Sequence, residues 1–470
     1  MQPNPLKYGE TPQAARRAAL RPTFPSATAR PLFAAAVVAT LVGVGCPRSQ
    51  APEQEPVPLV ERIGELTELR GTPLVTLREE IARIEEEKGL PRQLTEALPP
   101  PDDNLAAVFV DLFPADRLPG ILAEAEQYLS AGGGPDAHPD ALRGAKAFRE
   151  RFEPQRISVR RALRRPTCVF PIRFAAGYAA DLGFLDQVAA AMRLEALFAL
   201  EAAGEGRTNE AADSVISQLQ LAAALAACKH PQVRFTAARH RAAALNMLQE
   251  VVLSKPLHRD DMLRVLNELR RQIAVWPADA DAWIGFRALG LHALETAKRG
   301  RLYDILTNEE VAEFQEHYDM KSLVEQTRKN ADADALYFVR AMARVIEISA
   351  MPYTQRRAEL DRLATEWTTA LAGETPPIVS CRVLLPEVPP GHEIQARDRA
   401  NLEAWLLAVR TALQEPPAQT PINPWTGEPY QVEVHDGWVY VQGIGTGEVG
   451  RHAAIEIPLL PAPGRGPPSP

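Results

Sequence analysis

Cysteine is scarce in this chain. Four residues among 470, none of them in a C-x-x-C pair, exclude a zinc-ribbon or disulfide-dense scaffold. Also missing are a G-x-S-x-G elbow, a phosphate-binding P-loop and a G-x-G-x-x-G in a strand-to-helix setting, so the sequence names no reaction. A basic surface is lacking as well. The formal net charge is −8, and five of the basic residues, Lys7, Arg16, Arg17, Arg21 and Arg30, precede residue 46 against Glu10 alone. The remainder carries 47 bases and 59 acids, a net of −12, and so acidic a body repels a phosphate backbone. No nucleic-acid partner is expected. What is present is apolar material: 46% hydrophobic and 24% charged residues allow a sizeable core and two or three domains.

The basic N-terminal stretch leads into LFAAAVVATLVGVG, Leu32 to Gly45, and then Cys46. Fourteen residues suit a signal-peptide core and are too few to cross a bilayer comfortably. With a small residue, Gly45, just before the cysteine, the segment resembles the lipobox of bacterial lipoproteins. The resemblance implies removal of residues 1–45 and lipid on Cys46. It departs from the family pattern at Gly43, where Leu is usual. A plain signal peptide, a short anchor or a buried apolar helix are the other readings. Arg16 and Arg17 lie too far upstream for a twin-arginine signal. The polar, Pro-rich segment 46–58 reads as a tether. In an oxidising envelope Cys168 and Cys228 would be the pair to bridge; three buried free thiols, with Cys381, are the alternative.

From 59 to 375 the periodicity is helical, with a break near 131–140 that could divide two subdomains. Thr76 and Glu79 form a capping-box pattern that marks a helix start. Leu182 to Ala202 is apolar almost all round, as expected for a central helix. Gly204 and Gly206 break it, Thr208 would cap the next, Pro231 opens a third, and His258 to Ile273 is a fourth with Met262, Val265, Leu266, Leu269 and Ile273 on one face. Short turns make such neighbours antiparallel. The step Ala196 to Val215 resembles the junction of a tetratricopeptide-type hairpin, without the full signature, and implies packed hairpins that present a surface to another protein.

The C-terminal unit, 376–462, reads differently. Tyr430, Val432 and Val434 alternate with polar residues, His435, Asp436 and Gly437 supply a turn, and Trp438 to Gln442 return, giving a hairpin over 429–443. A third strand is expected at Ala453 to Leu459, with a helix, Arg397 to Leu413, packing Leu402, Trp405, Leu406 and Val409 on the sheet. Asn423, Pro424, Trp425, Gly427, Pro429 and Tyr430 resemble the C-terminal region of the major pseudopilins of type II secretion. In that family the following loop binds calcium. Here Gly443 to Ala454 offers only Glu448, so no metal is expected, and the prepilin motif and long N-terminal helix are missing. Residues 463–470 are expected to be a disordered tail.

Three further candidates are set aside. Glu313 and His317 share a helix face as solvated charges. Asn330, Asp332 and Asp334 lack the Gly and Glu of a calcium loop, and His240 suits a core position. The exception to the acidic body is a cluster of arginines between 149 and 165, of which Arg156, Arg160, Arg161, Arg164 and Arg165 could face lipid headgroups or an acidic partner. The alternative is pairing with acidic helices of the same body. The sequence thus predicts a mainly α protein, packed antiparallel helical hairpins with a small C-terminal antiparallel β-unit. It would be an envelope lipoprotein bound to a membrane through Cys46, with no catalytic or cofactor residues, binding or scaffolding an envelope protein partner. A hydrolase with a site assembled from distant residues is the rival.

Overall fold

The computed structural model describes residues 72–130, 139–442 and 454–461, all of which belong to one unit. Cys46, the tether, the tail, residues 131–138 of the expected break and most of the loop 443–454 lie outside the described residues. The fold is mainly α with a small antiparallel sheet, as expected.

Helix α1 (Thr72–Glu86) begins four residues before the expected capping box, so Thr76 and Glu79 lie inside it. Pro73 explains the earlier start, because proline fits the first turn, whose N–H groups have no helical partner. Next come α2 (Ala107–Leu112), α3 (Leu118–Ser130), α4 (Pro139–Ala162) and α5 (Phe184–Gly204). Helix α5 is the centre of the body: Val188, Ala190, Leu194 and Ala199 are fully enclosed, and α3, α4, α6 (Thr208–Ala226) and α7 (Pro231–Ser254) all pack on it. The α5–α6 turn needs Gly206, whose φ of 78° costs a Cβ-bearing residue strain. Thr208 is the first helical residue here, not the cap, and its buried hydroxyl donates to Asp261 Oδ2 at 2.9 Å.

Helix α8 (Arg259–Ala274) buries Met262, Val265, Leu266 and Leu269 completely. After it come α9 (Asp279–Lys298), α10 (Asn308–His317), α11 (Met320–Ile348), α12 (Tyr353–Ala370) and α13 (Val388–Ala412). The reciprocal capping box sits at α10. There the Thr307 hydroxyl accepts from the Glu310 N–H at 3.2 Å, and the Glu310 carboxylate accepts from the Thr307 N–H at 2.7 Å.

Strands β1 (Val432–His435), β2 (Trp438–Val441) and β3 (Ile455–Pro458) form an antiparallel sheet in that order. His435 pairs with Trp438, so it belongs to the strand and the turn is Asp436-Gly437 alone. Both have positive φ, 51° and 75°, as the two-residue primed turn demands. Val439, Val441, Ile455 and Ile457 face Leu402, Trp405 and Val409 of α13 in the same core that α5 to α8 line. The Tyr430 hydroxyl donates to the Ala400 carbonyl at 2.9 Å, fixing the chain just before β1. The sheet therefore has no core of its own. Trp425 and Trp438 are only half-buried; Trp425 is roofed by the Arg397 guanidinium, 4.4 Å from its ring centre.

Candidate binding cleft

A cleft of about 370 Å³ opens where the α8–α9 turn (Trp276 to Ala280), the α11–α12 turn (Ser349 to Pro352) and the middle of α13 meet. Pro424, from the segment that resembles the pseudopilins, forms part of its wall. Gly427 in the same loop has a φ of 79°, and a Cβ there would come within 2.8 Å of Thr354 Cγ2 at the start of α12. The Asn-Pro-Trp-Thr-Gly loop is thus a close-fitting strut against the cleft.

The floor is built around Arg356, which is 5% exposed. Its Nη1 donates to Asp279 Oδ2 at 2.9 Å and lies 3.2 Å from His392 Nδ1, while Nη2 donates to the carbonyls of Ser349 at 2.6 Å and Met351 at 2.9 Å. Asp279, in the first turn of α9, also has the Arg234 guanidinium 3.5 Å away. His392 is fully buried, stacked on Trp283 at 4.2 Å between ring centres. The Trp283 N–H donates to Gln395 Oε1 at 3.1 Å, and the Gln395 amide donates to the Asp279 carbonyl, also at 3.1 Å. Gly391 is required beside this stack, since a Cβ would meet Trp283 at 2.5 Å. A second buried pair, Arg241 with Asp398, lies deeper, and the Arg241 Nε donates to Gln272 at 3.1 Å. Charges this far from water persist only when paired and hydrogen-bonded, which is what each partner supplies.

Burial, and then the Arg356 charge, lower the His392 pKa to about 2. The imidazole is therefore neutral, accepts at Nδ1 from Arg356 and carries its hydrogen on Nε2, where no described residue receives it. His392 thus serves the floor as a neutral hydrogen-bond acceptor for Arg356. Above the floor the rim presents Trp276, Pro277, Pro352 and Pro424, with the buried Tyr353 behind them. Three guanidinium groups lie over the Trp276 ring, Arg241 at 4.7 Å, Arg399 at 5.1 Å and Arg234 at 5.7 Å from its centre.

The arginine cluster resolves differently from a surface patch. Arg156 and Arg160 converge on Glu195 of α5, which is 1% exposed: Arg160 donates Nε and Nη2 at 2.7 Å each, and Arg156 donates Nε at 3.1 Å. Arg160 also reaches Ser214 of α6 at 2.8 Å. Arg165 donates to the carbonyls of Pro101 and Asn104, both at 2.9 Å. Arg156, Arg160 and Arg165 thus make internal ties, the alternative that the sequence left open, and Arg161 and Arg164 alone of the five are exposed. Replacing Arg160 with Gln should cost about 1–3 kcal/mol, as expected for charge-assisted bonds to a buried carboxylate. Arg161→Gln and Arg164→Gln should change urea-unfolding stability by no more than about 0.5 kcal/mol. Equal losses in all three would contradict this division.

The remaining sequence candidates are not brought together. Glu313 and His317 are exposed on α10. Asp334, inside α11, is buried and accepts from the N–H groups of Val379 at 2.9 Å and Ser380 at 3.0 Å, a structural cap. Among the described residues no group of His, Cys, Asp and Glu could hold a metal ion. Cys168, Cys228 and Cys381 are free thiols, and burial pushes Cys168 and Cys381 up to about 12. Sequence reasoning missed Arg356, Asp279 and His392 because 77 and 36 positions separate Arg356 from its two partners. No protein family, no curated protein and no solved structure matches this chain.

Proposed function

We propose that this chain is a lipid-anchored protein of a bacterial cell envelope, tethered through Cys46, that works by holding a partner protein on its helical body. The cleft over Arg356 is the docking site. One observation carries this reading: both Arg356 Nη groups are already committed to Asp279, His392 and two carbonyls, while the rim offers Trp276 and proline side chains. Such a rim supplies contact area with few rotamers to freeze, and a pre-paired floor lowers the cost of closing it off from water. The anchor rests on the sequence: basic stretch, apolar run, Gly45, Cys46.

The test uses the full chain in native membranes, with a photo-reactive residue at exposed Ala350 on the rim or, as a control, at exposed Lys321. A single envelope protein should cross-link from Ala350, not from Lys321, and Ala278→Trp should abolish it by filling the cleft. Cys46→Ser should move the protein to the soluble fraction. Cross-linking that ignores Ala278→Trp refutes the docking site. A Cys46→Ser protein that stays on membranes with an unprocessed mass refutes the anchor.

A further inference from the structure

The two edges of the sheet are treated unequally. The outer edge of β3 is closed by Gln249 of α7, whose amide donates to the Glu456 carbonyl at 2.6 Å and whose Oε1 accepts from the Glu456 N–H at 3.0 Å. A side chain thus mimics a neighbouring strand. Nothing equivalent meets β1 among the described residues. In a two-residue hairpin His435 bonds Trp438 and Glu433 bonds Tyr440, and the series continues with the Gln442 N–H donating to the Gln431 carbonyl at 3.1 Å. Val432 and Val434 therefore turn their N–H and C=O groups away from β2. Their side chains share the face of Val439 and Val441, which are 0% exposed, yet Val434 is 51% exposed. Among the described residues, an inward-facing apolar side chain is left uncovered at a strand edge whose backbone has no partner.

We propose that β1 takes up one further strand, an extended segment of a partner protein in which apolar residues alternate with basic ones. The surface is independent of the cleft. Charge chooses the occupant. Glu428, Glu433 and Asp436 are exposed along this stretch, and no lysine or arginine lies between 428 and 441. The His435 imidazole sits 3.9 Å from Glu433 and 3.6 Å from Asp436. A strand laid on this edge would bond the backbone of Val432 and Val434, cover the Val434 side chain with an apolar residue and set its alternate, basic residues beside Glu433. A second copy of this chain fits worse, because edge-to-edge pairing brings the two Glu433 carboxylates together.

The probe is a six-residue peptide alternating valine and lysine, titrated calorimetrically into the full chain beside two controls: the same peptide with glutamate for lysine, and one with methylated backbone nitrogens. The lysine peptide should bind and both controls should fail, with binding weakening as salt shortens the Debye length below about 10 Å. Val434→Pro removes only an outward N–H, a substitution that an edge strand tolerates, and should weaken the peptide by at least about tenfold with the melting temperature retained. Glu433→Lys, at an exposed side chain, should reverse the preference toward the glutamate peptide. Absence of binding, binding that survives backbone methylation, or binding indifferent to both variants overturns the proposal. Self-association that depends on Val434 in the absence of peptide also overturns it, since the edge would then belong to a second copy.

Discussion

Lowering the pH from about 6.5 to about 5 is expected to weaken the fold, by roughly 1.4 kcal/mol per pH unit for each proton that the unfolded chain binds and the folded chain refuses. Three histidines set the sign. Burial lowers His230 and His240 from 6.5 to about 4, with the charges of Arg239 and Arg193 adding to the shift at His240, and His392 falls to about 2. A base whose folded pKa lies below its unfolded value is neutral in the native state and protonated in the unfolded one throughout this window. Its contribution is complete above 6.5 and is lost as the pH falls. Glu387 acts in the opposite direction: burial and the Glu310 carboxylate raise it from 4.5 to about 7, so the native state holds a proton there that the unfolded chain lacks. Burial also lowers His292, and it raises Asp334, Asp186 and Glu201, which side with Glu387; the large histidine shifts outweigh these, so unfolding takes up protons on balance and stability should fall with acidification. Urea unfolding measured across the window checks this. His392→Asn keeps an acceptor for Arg356 but cannot titrate, and should flatten the slope by up to one proton. A slope of opposite sign, or one that His392→Asn leaves untouched, would show that these imidazoles are hydrated and not enclosed.

What the sequence disclosed and what it hid follow from the range of each interaction. Helices were legible because Met262, Val265, Leu266 and Leu269 repeat at 3.6-residue spacing whatever covers them, and all four are fully buried. Helix starts were less so. Thr76 and Thr208 have the side chain that caps, but Pro73 starts one helix earlier, and Asp261, from a helix 53 positions away, claims the hydroxyl of the other. The Asp-Gly turn was legible because two adjacent positive φ values leave few residues that fit. Alternation placed Val434 on the right face without telling that the helices end short of it. The arginine run could be seen in one dimension only: Glu195, which gathers Arg156 and Arg160, lies 39 and 35 positions from them on another helix. The cleft was hidden for the same reason, since its floor is assembled from three helices and its wall from the loop after α13.

Replacing Ile457 with Ala is expected to destabilise the whole described body by about 2–5 kcal/mol, the usual cost of emptying a fully enclosed Ile site. The sequence suggests a separable C-terminal unit with local stability, in which case the same change would loosen the sheet and leave the helices alone. The packing argues for coupling. Ile457 is 0% exposed, in one continuous core with Trp405 and Val409 of α13 and Leu245 and Leu248 of α7. Two further ties cross the same boundary: Gln249 of α7 holds the backbone of Glu456, and Tyr430 holds the Ala400 carbonyl of α13. Losing the sheet would uncover the apolar face of α13 and the part of α7 that β3 covers. Helical circular dichroism and hydrogen exchange of the β2 and β3 amides should therefore report one transition, and Ile457→Ala should lower the stability that both report by the same amount. A helical midpoint that stays in place while the sheet amides lose protection would show the β-unit to be an autonomous module after all, and would free its open edge to bind or release a partner strand without disturbing the helices beneath.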